Sequence, residues 1–169
     1  MNAATTHVTT ASIEADPEVP VLRITRDFRA TPEQLFRAHT DPDLYARWIG
    51  PKDLSTRIDH WEARTGGSWR FTNIRGEGAD AEEFRFHGCF HEVRADRIVQ
   101  TFTWEGYPDG VSLDTVTFED LGDGWSRLVV SSLVDSFEAR EQMLASGMDV
   151  GINDGYATLD SMLDAGEVT

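Results

Sequence analysis

The sequence predicts an α+β domain in which a curved antiparallel sheet of about seven strands wraps around a long C-terminal helix, with two short helices after the first strand. Three observations predict it. Between Asp53 and Leu133, six segments alternate apolar and polar residues and are separated by turn residues. From Asp135 to Gly166 the apolar residues recur at helical spacing. Upstream, Pro32 and Pro42 each open a short stretch with apolar residues on one helical face.

Composition sets the limits. A chain of 169 residues suits one domain, and 40% hydrophobic content with five tryptophans is ample for a core, which argues against a disordered chain. The net charge is -15 and Lys52 is the sole lysine, so a nucleic acid would be repelled almost everywhere on the surface. Apolar runs fall far short of the roughly 20 residues of a spanning helix, so no membrane insertion is expected. Cys89 is the single cysteine, which excludes an intramolecular disulfide and a thiolate-cluster metal site. No secretory signal pattern is visible, and a cytoplasmic location is the expectation.

In chain order, residues 1–20 mix small, polar and acidic residues with two prolines and no apolar period, so a mobile tail is expected there and a single ordered domain over 21–166. Order begins at Val21, where Leu22, Ile24, Arg26 and Phe28 alternate with Arg23, Thr25 and Asp27 as in a half-buried strand. A helix follows from Pro32 to about Asp41, with Leu35, Phe36 and Ala38 on it. A second runs from Pro42 through Leu44, Tyr45 and Trp48, and Gly50 and Pro51 close it.

The six central strands are expected at Leu54–Trp61, Ser68–Ile74, Glu83–Val93, Ile98–Glu105, Val111–Leu121 and Trp125–Leu133. Their short connections imply an antiparallel meander. Alternation puts Trp69 with Phe71, Phe84 with Phe86 and Phe90, Ile98 with Phe102 and Trp104, Val116 with Phe118, and Leu128 with Val130 on one aromatic-rich face.

The C-terminal helix supplies the complementary dry face through Leu144, Met148, Gly151, Gly155, Leu159 and Met162, flanked by Ile152 and Leu163. Asp135 and Glu138 resemble a capping box, and Gly166 fits a C-terminal stop. Each interior glycine costs about 1 kcal/mol relative to alanine, so Gly147, Gly151 and Gly155 together cost roughly 3 kcal/mol that something must offset. Either the helix backbone approaches a partner sheet closely, or the missing side chains leave a cavity beneath it.

Several of these segments carry a resemblance. Asp41, Pro42, Asp43 and Leu44 followed by Trp48, Gly50 and Pro51, then Gly66, Gly67 and Trp69, then Phe86, His87, Gly88 and Phe90, and finally the helix from Ser136 to Leu163, resemble the START-like, polyketide-cyclase-like (SRPBCC) superfamily. The similarity is to its heat-shock-protein-90 ATPase activator homologue-like branch and spans about residues 20–165. It implies the helix-grip fold, with a cavity between sheet and C-terminal helix that receives hydrophobic or aromatic small molecules in relatives. The cavity lining expected here is Trp48, Trp69, Phe71, Phe86, Phe102, Trp104, Met148, Gly151, Ile152 and Gly155.

Other candidates are weaker. His87, Cys89 and His91 alternate along one strand and offer zinc or copper ligands, but three ligands in line cannot reach one ion without a bulge, and they face away from Phe86 and Phe90. His60 and Asp59 are adjacent, so they point to opposite faces and form no preformed acid–base pair. Glu83 and Arg85 read as an exposed charge pair. Arg26 and Arg57 could anchor an anionic head group, although a structural partner such as Asp114 is the simpler satisfaction of Arg26. No nucleophile elbow, phosphate loop or dinucleotide fingerprint is present, no cofactor is implied, and no residue is singled out as catalytic.

The expectation is therefore a binding protein for a small hydrophobic molecule. The alternatives are a cyclase or hydrolase that orients a polyketide-like or aromatic substrate, with a polar pair at the cavity floor, and a chaperone-cofactor-like partner-binding module. Some members of the superfamily pair, so the resemblance allows a homodimer.

Overall fold

The computed structural model describes residues 6–169. In order, the elements are β1 (Ser12–Ala15), β2 (Val21–Phe28), α1 (Pro32–Thr40), α2 (Pro42–Trp48), β3 (Ser55–Trp61), β4 (Ser68–Arg75), β5 (Glu82–Arg94), β6 (Arg97–Trp104), β7 (Val111–Gly122), β8 (Trp125–Leu133), α3 (Phe137–Ala145) and α4 (Met148–Asp164). The eight strands form one sheet in the order β1-β2-β8-β7-β6-β5-β4-β3, antiparallel throughout. β2, the first long strand, thus pairs with β8, the last, and α1 and α2 carry the chain to the far edge at β3.

Local chemistry starts each early helix as the sequence implies. Thr31 caps α1 in a reciprocal box with Gln34, and Asp41 caps α2 by accepting from the Asp43 and Leu44 amides at 3.0 and 3.2 Å. The buried core joins Phe28, Leu35, Trp48, Phe71, Phe90 and Leu128 from the sheet and early helices to Leu159 and Met162 of α4. Each such side chain contributes about 1.5–3 kcal/mol on burial. Among the described residues no helix is long and apolar enough to cross a membrane.

Four expectations change. The sheet has eight strands rather than about seven, because Ser12–Ala15, inside the segment expected to be a mobile tail, pairs with the free edge of β2. A four-residue edge strand is too short to show a period, and its anchors are distant in sequence. Val8 and Asp27 exchange hydrogen bonds at 2.7 and 2.8 Å, His7 stacks on Trp125 at 3.8 Å, and the Ala11 amide donates to Asn153 Oδ1 at 3.1 Å. Residues 1–5 of the expected tail lie outside the described residues.

The single C-terminal helix is two helices. Gly147, with φ of 77°, takes the left-handed conformation that glycine favours and separates α3 from α4. Helical spacing resumes on both sides, which is why periodicity alone reads through the break. The N-terminal cap is Ser136, whose hydroxyl accepts from the Ala139 amide at 3.1 Å, and not Asp135. Gly166 does end α4, with φ of 71°.

The remaining helix glycines neither face a sheet nor open a gap. A Cβ on Gly155 would stand 2.6 Å from the Trp48 carbonyl oxygen, and one on Gly151 would stand 3.4 Å from Pro51 Cδ. Close approach is the correct explanation, but the partner is the end of α2 and the turn after it.

Candidate functional site

Alternation along β4, β5 and β6 brings four aromatic side chains together on the concave face. Trp69 and Phe71 stack at 5.5 Å, Phe71 and Phe86 at 5.1 Å, and Phe102 lies 5.2 Å from Trp69 and 5.5 Å from Phe86. Gly88 makes the Trp69 position available, since a Cβ there would stand 2.6 Å from the indole Cζ2. The indole therefore lies across β5 toward Phe102 on β6. Trp69 and Phe71 are buried, whereas Phe86 and Phe102 are half-buried, as are Met148 and Ile152 of α4, which pack against the same core.

The other expected lining residues sit differently. Trp48 is buried among His39, Tyr45 and Tyr156 and donates its indole N–H to the Ala38 carbonyl at 2.9 Å, so it belongs to the packed helix end. Trp104 is in register with Phe86 but 45% exposed, folded over Gly106 at the rim. Gly151 and Gly155 lie against Pro51 and Trp48, as above.

Polar groups that the sequence reading did not place here complete the concave face. Asp114 on β7 is buried, with Gln100 on β6 and Ser132 on β8 as its cross-strand partners and Ser112 two residues before it. Its alternation with Val116 was a legible signal for this position. Burial pushes the Asp114 carboxyl up to about 6, against the opposing pull of the Ser132 and Ser112 hydroxyls. Tyr45 of α2 and Tyr156 of α4 are buried and close enough to feel its charge, and burial first, then that charge for Tyr45, raises their phenol pKa values.

Two buried atoms of this face have no hydrogen-bond partner among the described residues, Asp114 Oδ1 and Trp69 Nε1. Leaving such a group unpaired costs about 1–3 kcal/mol, and more when it is charged.

Arg26 is not the partner of Asp114. Its guanidinium pairs with Asp160 of α4, donates to the Asp27 carbonyl and lies 4.5 Å from the centre of the Phe28 ring. Arg57 is half-exposed on the convex face and bound to Asp59 at 2.7 Å and Glu83 at 3.3 Å. Neither is free to hold an anionic head group on the concave face.

The convex face carries the remaining candidates. His87, Cys89 and His91 are exposed, and His87 Nδ1 lies 3.0 Å from Glu105. Among the described residues no group of three potential ligands is gathered to hold a metal ion. His60 and Asp59 do not point to opposite faces: the bulge between Ile58 and His60 turns both to the convex side, where His60 is within 3.0 Å of the Ser68 hydroxyl and Asp59 accepts from Arg57 and Thr72, so the two neighbours still have separate partners. Arg85 and Glu83 form the exposed pair, at 2.6 Å.

A curved antiparallel sheet, closed at one end by two short helices and gripping a C-terminal helix over an aromatic concave face, defines a START-like helix-grip protein. The chain belongs to the family described as Activator of Hsp90 ATPase homolog 1-like protein, whose model matches residues 29–164. No curated protein sequence matches it. Among solved structures it is similar to a Rhodobacter sphaeroides protein, at 26% identity and a TM-score of 0.77, over 91% of this chain and 99% of that one. An Arthrobacter aurescens protein gives 24% identity and a TM-score of 0.79 over 91% of each chain. DynU16, a putative protein in the dynemicin biosynthetic locus, has the same fold at 19% identity and a TM-score of 0.61, over 87% of this chain and 48% of that one.

Proposed function

We propose that the chain binds a small hydrophobic or aromatic molecule between the concave face of the sheet and α4. The observation that carries this reading is the Trp69, Phe71, Phe86 and Phe102 cluster, continuous across β4, β5 and β6 yet only half-covered at Phe86 and Phe102. Apolar area removed from water contributes about 25 cal/mol per Å², so a flat ring seated on these side chains gains several kcal/mol before the cost of association. Native mass spectrometry of freshly purified protein, followed by organic extraction, tests it. A stoichiometric small molecule supports the reading and names its chemical class. An empty protein that also binds no member of an aromatic panel refutes it.

One observation favours a second reading, in which the same site orients a polyketide-like or aromatic substrate for cyclisation or hydrolysis. The Asp114 carboxyl, pushed up to about 6, is matched to proton transfer near neutral pH. Turnover of a candidate substrate that falls at least about 100-fold in Asp114→Asn, with substrate binding retained, supports it. Turnover unchanged in that variant refutes it.

A further inference from the structure

The aromatic cluster accounts for the apolar half of the site and leaves unexplained its two orphaned polar atoms. Asp114 Oδ1 and Trp69 Nε1 are buried on the same concave face, and neither has a partner among the described residues. They are chemically opposite, one an acceptor and one a donor. Trp69 lies over Gly88 and against Phe102, and Phe102 pairs across to Ser112, two residues from Asp114. The two orphans therefore flank the Phe102 position from either side.

The charges nearby limit what they recognise. Arg26, whose charge acts on the Tyr156 phenol, is held by Asp160 and the Asp27 carbonyl. That leaves Asp114 as the ionisable acid of the face, and an anionic ligand would be repelled by it. A hydroxyl on an aromatic ring satisfies both constraints, because its O–H donates to a carboxylate while its ring packs on the half-covered Phe86 and Phe102.

We propose that Asp114 and the Trp69 indole N–H are the polar anchors for an uncharged hydroxylated aromatic ligand, with Asp114 accepting from one hydroxyl and Trp69 donating to a second ring oxygen. This rests on the binding reading above and adds the ligand class. Phe86, Phe102, Met148 and Ile152 are half-buried side chains of the same core, and α3, which precedes α4, buries none of its residues.

The test uses four probes on the full chain: naphthalene, 2-naphthol, 2,7-dihydroxynaphthalene and 2-naphthoate, titrated by calorimetry and by NMR of the indole N–H signals, with Trp69→Phe assigning the Trp69 signal. Wild type is expected to bind 2-naphthol at least about tenfold more tightly than naphthalene, and to reject 2-naphthoate. Asp114→Leu, similar in size but without an acceptor, is expected to erase the preference for the naphthol while keeping naphthalene binding, which also shows that the variant folds. The dihydroxy probe is expected to shift the Trp69 indole signal, whereas naphthol moves it less. Equal binding of naphthalene and 2-naphthol, an unchanged preference in Asp114→Leu, or tighter binding of 2-naphthoate overturns the anchor assignment and leaves the binding reading standing. Failure of all the neutral probes to bind overturns both.

Discussion

Asp114→Asn tests whether the concave face is dry at its polar end. The wild-type carboxyl is raised from 3.8 to about 6, and at 1.36 kcal/mol per pH unit this amounts to about 3 kcal/mol of strain when the group ionises in the fold. The sign is fixed by the direction: the folded state binds the proton more tightly than the unfolded chain. The penalty is therefore absent below about pH 4, grows as pH rises through about 6, and is complete by neutrality. Asparagine fills nearly the same volume and does not titrate. The groups facing Asp114 are Tyr45 from α2, Tyr156 from α4 and the Ser112 and Ser132 hydroxyls, none of which titrates in this range. Urea unfolding of both proteins from pH 4 to pH 8 is expected to show the Asn variant gaining about 3 kcal/mol on wild type across that interval, with all other titrations cancelling in the difference. A difference constant to within about 1 kcal/mol would mean that water reaches the carboxyl freely, and it would refute the dry-face reasoning.

The other predictions concern the frame around the site. Gly155→Ala is expected to destabilise by about 1–3 kcal/mol, since its Cβ meets the Trp48 carbonyl at 2.6 Å, whereas Gly151→Ala, at 3.4 Å from Pro51 Cδ, is expected to stabilise by up to about 1 kcal/mol; thermal unfolding distinguishes the pair. His39 is buried with Nδ1 2.7 Å from the Leu35 carbonyl, and burial depresses its pKa to about 4; NMR titration should find the ring neutral down to that pH, with stability falling as pH drops from about 6.5 toward 4. Arg127→Ala is expected to cost about 3 kcal/mol, because it strips both side-chain hydrogen bonds at 2.8 and 3.0 Å from fully buried Asp27, and denaturant midpoints will register the loss.

Much of the architecture could be read in the sequence because period-2 alternation is local. Trp69, Phe71, Phe86 and Phe102 were placeable on one face from spacing alone, and Pro32 and Pro42 marked the starts of α1 and α2. What could not be read depended on contacts between distant segments. The β1 strand exists because β2 has a free edge, and the helix break at Gly147 depends on a backbone angle that periodicity does not encode. The role of Gly155 became visible only once α4 lay against the end of α2. Asp114 lay within reach of the alternation argument, two residues from Val116, but a lone carboxylate in an apolar row looks like the natural partner of an inward arginine. The arginine instead turned to Asp160, more than a hundred residues away in the chain.

The pairing of β2 with β8 also sets the timing of assembly. Val21 faces Leu133 and Phe28 faces Ser126, so the first long strand to leave a ribosome waits for roughly a hundred further residues before its partner exists. At about 5–20 residues per second, that interval is roughly 5–20 s. The β3–β8 meander is built from neighbours in sequence and can form as it emerges. Closing the sheet with β2 is therefore the late, long-range step, and a nascent chain exposes the aromatic concave face until the C-terminal helices arrive to cover it.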